Sequence, residues 1–486
     1  MRAFLPTSLI LAGVIFLFSG VAWAQSNIYS FTGDVDLGVD YTTFTSSGQH
    51  YIGARWDTVY VVTSNGWTWC QKSTDGGQTF GPAVRVNSTG AGYNPSMRVD
   101  TAGVVYVAYQ DEFADIRFSK STDGGVIFTP GVKVNDDTIP QVGQEKPAIA
   151  VNNKGQVFIA WNDQRTAPGQ PHKAIFAAAS YDGGQTFTQN IQVNDTSEGA
   201  GVNDIAADDS GRVYVLYQGG IIARSIDSLQ SFPIRTYITE PPWSRGFSSM
   251  AISGPLVGLF GVAGRFVGDS LEITLRFTVS TDHAETFLPS VRVDDDTTGD
   301  YNLSILHASL FVHKNTFFAS WSEVRSGRDI FFSYSSDTGR TFAANKQVNS
   351  DSAKTHTSPS LAVNEGGKAF VVWRDPRHDP FFGLNWHSFV AVGNPIYLKG
   401  DLNLDSILTA ADVVTIMNAV FLDISFPAPF ENADGNCDGM LRPVDIVLEL
   451  KAVFLYEPFP CAGIEISFDK PGFALNLTPK GTGIKG

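Results

Sequence analysis

The chain has 486 residues and a formal net charge of −15, from 34 basic and 49 acidic side chains. No basic run and no glycine-rich phosphate loop accompany that balance, which argues against nucleic acid and other phosphate-backbone partners, since these need basic stripes. Aromatics and glycine are abundant and apolar runs are short, an all-β composition up to about residue 396.

The first element in chain order is a leader. Met1-Arg2, the apolar run from Leu9 to Phe18, and Ala22-Trp23-Ala24 ahead of Gln25 read as a secretory signal over residues 1–24. Its cleavage would leave a secreted, extracellular or cell-surface chain with no membrane span. The run is nearly long enough to cross a bilayer, so an uncleaved anchor is the alternative. Export permits disulfides, but three cysteines supply no framework for the main body. Cys70, within Trp67-Thr-Trp69-Cys70, reads as a small buried hydrophobe. Cys437 and Cys461 share the C-terminal segment and are the expected pair.

From residue 25 to 396 the chain repeats itself. Ser73-Thr-Asp75-Gly-Gly-Gln-Thr-Phe80 returns around Asp123, Asp182, Asp227, Asp282 and Asp337, about every 50 residues. Two runs precede each copy, as in Pro147–Val151 and Gln156–Asp163, and a Val-Asn/Asp acidic tail follows, as in Val134-Asn-Asp-Asp137. Each repeat therefore predicts four short strands, one blade of a β-propeller. The two-run element occurs seven times but the Asp turn only six. The last repeat lacks a fourth strand after a third one near 384–392, and Gly33-Asp-Val-Asp-Leu-Gly-Val-Asp40 resembles the missing piece. A seven-bladed ring closed by an N-terminal strand is predicted, with six blades as the alternative. Closure matters because an open blade exposes strand edges.

The recurring turn resembles the Asp box, S-x-D-x-G-x-T-F/W, of the bacterial neuraminidase (BNR) repeat found in sialidases and other propellers. Its physical reading is local. Asp75, Asp123, Asp182, Asp227, Asp282 and Asp337 accept bonds from the backbone N–H groups that follow, glycine takes positive φ, and Phe packs between sheets. That makes the box a structural lock between third and fourth strands.

The opposite face receives the loops between second and third strands and those between blades. It carries Asp111-Glu112, Trp161-Asn-Asp163-Gln-Arg165, Trp321-Ser-Glu323-Val-Arg325 and Trp373-Arg-Asp375-Pro-Arg377-His378, with Tyr93, Asp136, Asp137, Glu145, Tyr301 and His356. These groups are expected to converge on the propeller axis, the usual place for a ligand. The W-x-[DE]-x-R motif has two readings. Arg165, Arg325 and Arg377 could clamp a carboxylate, with Asp163, Glu323 and Asp375 for acid–base work. In sialidases three arginines hold the sugar carboxylate while a Tyr–Glu pair and an Asp act, so the resemblance implies a glycoside hydrolase of that type. Alternatively each arginine pairs with its own blade's carboxylate or braces the neighbouring blade, a structural reading that recurrence of the motif favours. The Arg-Ile-Pro motif of catalytic sialidases is missing from the first repeat, which reads Tyr51-Ile-Gly-Ala-Arg55-Trp-Asp57. Phe232-Pro-Ile-Arg235 belongs to a fourth strand, and no Tyr–Glu pair stands out.

After Pro395 the composition changes, and residues 397–465 form a second region, followed by a tail at 466–486. Asp401, Asn403, Asp405, Ile407 and Asp412 place oxygen ligands at positions 1, 3, 5, 7 and 12 of a calcium loop, with Ile407 giving its backbone carbonyl. Asp434, Asn436, Asp438, Met440 and Asp445 repeat the set 33 residues later. A helical pattern follows each loop. The pair resembles a type I dockerin, a small α-helical domain holding two Ca2+ ions, which implies a cohesin-like or other surface scaffold protein as partner. Calcium would then be a folding requirement, and Cys437–Cys461 would staple the second loop. Ala410-Ala411 and Pro443-Val444 stand where the family often has Ser/Thr, a departure from the usual recognition residues. The combined expectation is an exported bacterial propeller that interacts with a glycan ligand in a polysaccharide-processing context. A sialidase-type hydrolase and a non-catalytic surface or adhesion protein are the alternatives.

Overall fold

Short alternating runs bounded by Gly, Asn and Asp turns fold as seven antiparallel sheets, the blades of a propeller. The computed structural model describes residues 29–39, 50–138, 142–165, 174–195, 201–218, 220–238, 240–268, 270–296, 308–325, 327–351, 355–378, 386–395, 402, 410–422, 433 and 440–455. Blades 1 to 7 span 52–85, 92–133, 144–192, 202–237, 244–292, 308–347 and 357–395. Blade 3 is representative: Gln144–Val151, Val157–Asp163, Ala174–Ser180 and Ile191–Gln192 pair in that order from axis to rim. Its second strand is buried at every position, being covered by neighbours on both faces.

Blade 7 is closed by the N-terminus, as expected. Tyr29–Phe31 and Val35–Val39 both pair with His387–Pro395, with Val35 opposite Val390 and Val39 opposite His387. The third strand starts at His387 rather than at 384. No helix among the described residues is long and apolar enough to cross a membrane.

The box turns lock the blades as the residues predict. In blade 1, Asp75 Oδ1 accepts from Ser73 Oγ at 2.7 Å and from the N–H groups of Gln78 and Thr79 at 3.0 Å, while Thr79 Oγ1 donates to Oδ2 at 2.5 Å. Ser73 Oγ in turn accepts from Gly77 N at 2.8 Å. The serine-to-aspartate bond recurs at Asp123, Asp182, Asp227, Asp282 and Asp337. The box phenylalanines reach the preceding blade: Phe187 meets Phe118 edge-on at 5.5 Å, and Phe342 meets Phe277 at 5.1 Å. At Gly184, with φ +89°, a Cβ would sit 2.0 Å from the Phe118 ring, so only glycine fits. Blade 4 has Leu229 at that position, buried against Ala177 and Ala179 of blade 3, where small side chains leave room.

The Val-Asn/Asp tails lie just past the fourth strands, most of which are only two residues long. Their buried amides and carboxylate cap the third strands. Asn87, Asn135, Asn194, Asp294 and Asn349 accept from the N–H of Thr68, Ile116, Ile175, Leu275 and Ile330 at 2.6–2.9 Å. An Asn or Asp at that point supplies an acceptor to a strand end that no backbone carbonyl reaches.

In the C-terminal region two helices are described, α1 (Ala410–Leu422) and α2 (Pro443–Leu455). They pack through a small core of Leu402, Ile416, Ala433 and Ile446.

Candidate functional site on the loop face

Each W-x-[DE]-x-R motif forms a closed set of interactions. Trp161 Nε1 donates to Asp163 Oδ2 at 2.8 Å, and Arg165 binds the same carboxylate through its N–H and its Nε at 2.8 and 3.0 Å. The Arg165 guanidinium stacks on Phe176 of the third strand, reaches Asn190 at 2.9 Å, and ends on Asp136 of blade 2 at 2.7 Å. Blade 6 repeats this with Trp321, Glu323, Arg325, Phe331, Asn345 and Asp295 of blade 5. Asp163, Glu323 and Asp375 are all buried. Burial raises the Glu323 carboxyl above its ordinary value, against the bonds from Trp321 and Arg325.

In blade 7 the same arrangement appears with the charges exchanged. Arg377 binds Asp375 at 2.7 Å and stacks 3.8 Å over Phe389, but its outer nitrogen ends at 2.7 Å on Asp34, just ahead of the closing strand Val35–Val39. Asp34 accepts from Ser350 N at 3.1 Å, as Asn190 Oδ1 accepts from Asp136 N in blade 3. Where blades 3 and 6 have the amides Asn190 and Asn345, blade 7 has the carboxylate of Asp34, and where the preceding blades offer Asp136 and Asp295, blade 6 offers Ser350, with Asp351 beside it 3.3 Å from Arg377 Nε. The arginine keeps its counter-ion either way.

The expected convergence on the axis therefore does not occur. Arg165, Arg325 and Arg377 meet their partners at third strands and fourth-strand tails, in the outer parts of blades 3, 6 and 7, and their heads are neutralised there. The structure joins Arg165 to Asp163, Arg325 to Glu323 and Arg377 to Asp375, and keeps the three pairs on separate blades. His356 is buried beside Asp351, which accepts its Nε2 contact at 2.6 Å, rather than facing the axis. Tyr301 lies outside the described residues.

The axis carries a different group. His50 Nε2 lies 3.3 Å from Asp204, and Arg98 lies 3.7 Å from the same fully buried carboxylate. Met250 N and Ile205 N also donate to it, at 2.9 and 2.8 Å. Burial, then the Arg98 charge, lowers the His50 pKa against the pull of Asp204. His50 and Arg98 border a cavity of about 280 Å³, otherwise lined by apolar residues of the inner strands such as Val99, Ala207, Ile252 and Val312. These last residues end their strands on the Asp-box side, so the cavity belongs to that half of the channel. A single acid in an inner strand gives no repeat signal, and the sequence did not single out this group.

The loop face of blades 1 and 2 holds exposed aromatics. Trp67 is 39 % exposed, Tyr93 42 % and Phe113 72 %. Trp67 sits in the second hairpin of blade 1, with the Arg85 guanidinium 3.5 Å over its ring. Its neighbour Gly66 accepts from Gly92 N at 3.1 Å, which brings Tyr93 alongside. Phe113 is projected by a tight turn in which Asp111 Oδ1 accepts from Phe113 N and Asp115 N, both at 2.9 Å. Glu112 beside it reaches Ala91 N at 3.3 Å, and Gln110 Oε1 accepts from Asn94 Nδ2 at 3.0 Å. Three exposed aromatic residues thus stand on the loop face of blades 1 and 2, in loops tied together by the Gly92–Gly66 and Ala91–Glu112 bonds. Tyr93 was legible as a loop-face residue. Phe113 and Trp67 had one available signal, an aromatic in a hairpin turn where polar residues are usual.

Of the residues expected to form calcium loops, Met440, Asp412 and Asp445 are described; Asp401, Asn403, Asp405, Ile407, Asp434, Asn436 and Asp438, and the expected disulfide partners Cys437 and Cys461, lie outside the described residues. Asp412 and Asp445 are fully buried at the starts of α1 and α2. Asp412 Oδ1 accepts from Leu402 N at 2.9 Å, and Asp445 Oδ2 from Arg442 N at 2.7 Å. Asp445 Oδ1 is buried without a hydrogen-bond partner among the described residues. Cys70 is buried and free, its thiol pushed by burial up to about 12, so it is inert as expected.

Neither a known protein family nor a curated protein matches the sequence. Solved propellers resemble it in shape. An α-L-arabinanase of Penicillium chrysogenum complexed with arabinobiose is 13 % identical over 75 % of this chain and 98 % of that one, with a TM-score of 0.45. A Hadza microbial sialidase is 14 % identical over 68 % and 74 %, with a TM-score of 0.38. The Pan2 WD40 domain of Neurospora crassa is 11 % identical over 77 % and 98 %, at 0.45. Likeness this general extends to propellers of unrelated names and carries no function with it.

Proposed function

We propose that this is an exported carbohydrate-interacting propeller, binding glycan on the loop face of blades 1 and 2 and attached through a calcium-loaded dockerin-like module. The observation that carries the binding reading is the exposure of Trp67, Tyr93 and Phe113 on joined loops of one face. Exposed aromatic groups rimmed by polar side chains mark interaction sites. An apolar ring with polar neighbours suits a sugar, whose C–H faces stack on aromatics while its hydroxyls take hydrogen bonds from amides and carboxylates. The carboxylate-clamp alternative lacks such support, because its arginines are already neutralised within the fold.

For the attachment module, support comes from Asp445. A buried carboxylate oxygen with no hydrogen-bond partner suits a hard cation beside it. Asp401, Asn403, Asp405, Ile407 and Asp412 would hold one Ca2+, and Asp434, Asn436, Asp438, Met440 and Asp445 the other. The helices also leave apolar residues uncovered at repeat-related positions: Val414 with Val447, and Met417 with Leu450. A scaffold protein of cohesin type would cover that face.

A glycan array probed with the calcium-loaded chain tests the binding reading. Retention on a subset of glycans is expected, together with its loss in a Trp67→Ala, Tyr93→Ala, Phe113→Ala variant of unchanged melting temperature. Equal retention by that variant would remove the reading. Turnover of a fluorogenic sialoside, lost in Arg325→Ala, would favour the hydrolase instead.

A further inference from the structure

The seam of blade 7 brings together three ligand-type side chains that the glycan reading does not use. Asp36 lies on the N-terminal strand, His387 opens the third strand, and His378 sits in the hairpin loop just past Arg377. His387 Nδ1 is 2.9 and 3.0 Å from the two Asp36 oxygens, and His378 Nε2 is 3.1 Å from Oδ2. One ligand atom from each lies within 4.8 Å of the others, and all three residues are at least partly open to solvent. Four-coordinate zinc, with ligands at about 2.0–2.2 Å, sets its ligand atoms roughly 3.3 Å apart. The trio needs only small rotations to reach that spacing.

Comparison of the blades makes the cluster specific. Blades 3 and 6 share the Trp-x-acid-x-Arg framework with blade 7. After Arg165 and Arg325 they have Thr166 and Ser326, where blade 7 has His378. Opposite the motif acid they have Ala174 and Asp329, where blade 7 has His387. Asp36 stands opposite Phe389 in the closing strand, where the fourth strands of blades 3 and 6 put Gln192 and Gln347 opposite Phe176 and Phe331. The brace is therefore common to the blades, and the histidines are added where the ring is joined.

We propose that Asp36, His378 and His387 form a divalent transition-metal site of the zinc class that pins the N-terminal strand to the last blade. Two imidazoles and one carboxylate are an N2O set, preferred by zinc, nickel and copper over calcium or magnesium, which favour all-oxygen sites. Water would complete the fourth position. One ligand comes from the closing strand and two from the blade it closes, so a bound ion ties residues 36 and 387 directly. The metal favours the closed ring because the site does not exist in the open one.

The test is zinc titration of the untagged full chain in calcium-saturated buffer, followed by calorimetry and thermal melting. One zinc per chain is expected, with a higher melting temperature for the propeller transition. Removing even an outer partner of a metal ligand costs about 10–100-fold in affinity, so Asp36→Asn and His378→Asn should each weaken binding at least that much. His378 is exposed in a loop, so its variant keeps the test valid should changes at His387 disturb the strand. Failure to bind zinc at one equivalent would overturn the proposal, as would wild-type affinity in both variants. Cobalt substitution gives a second readout: tetrahedral-type visible absorption supports the site, and an octahedral spectrum identical to free cobalt opposes it.

Discussion

At the scale of single residues, the box aspartates show how a few short bonds set a turn. The Thr79 hydroxyl, the Thr79 N–H and the Ser73 hydroxyl hold the Asp75 carboxyl down at about 2, against an ordinary 3.8. A carboxyl depressed in the folded state contributes stability that is complete above its unfolded pKa and is lost as pH falls through the folded one. The urea midpoint of the propeller should therefore fall as pH drops from about 4 to about 2, and Asp75→Asn should flatten part of that slope. An unchanged slope would mean the box bonds survive protonation. Ser73→Ala strands the buried Gly77 N–H and is expected to cost about 1–3 kcal/mol in chemical denaturation. The box was legible in the sequence because all its partners lie within four residues of the aspartate. The axial Asp204 was not, since His50 and Arg98 reach it only once the ring has closed.

Between elements, the decisive feature is the exchange of charge at the seam. The outer nitrogens of Arg165 and Arg325 bind a carboxylate of the preceding blade, whereas that of Arg377 binds Asp34 while its Nε lies 3.3 Å from Asp351 of blade 6. Asp34→Asn should remove a charge-assisted bond and lower stability by about 1.5–3 kcal/mol. Adding Ser350→Asp rebuilds the arrangement of blades 3 and 6 and should recover most of the loss, measured as the urea midpoint of the double variant. Additive damage from the second change would show that the two seams are not equivalent. The motif could be read from its spacing, but its role could not. Whether Arg165 faces an axis or a neighbour depends on which residue of blade 2 lies beside Asn190, and that register is a property of the assembled ring. Phe113 escaped notice for a related reason: an aromatic in a turn is informative only when Tyr93 and Trp67 are seen beside it.

For the whole molecule, closure by the N-terminal strand joins the two ends of the propeller, and the number of blades follows from it. The repeat count predicted seven because a strand pair without its own Asp turn needed a partner from elsewhere, and Val35–Val39 supplies it. The C-terminal helices form a separate small core. Chelation with EGTA is therefore expected to abolish a helical transition in calorimetry while leaving the propeller transition in place. A single transition indifferent to chelation would contradict the calcium assignment. The claim on which the functional account rests is that glycan is read by aromatics on blades 1 and 2 and not by the arginines of blades 3, 6 and 7. It is tested most directly by calorimetric titration of an array-selected glycan into Trp67→Ala and Arg165→Lys, both shown to be folded. The account predicts at least a tenfold loss of affinity in the first, about 1.4 kcal/mol or more, and near-wild-type affinity in the second; the reverse pattern would contradict it.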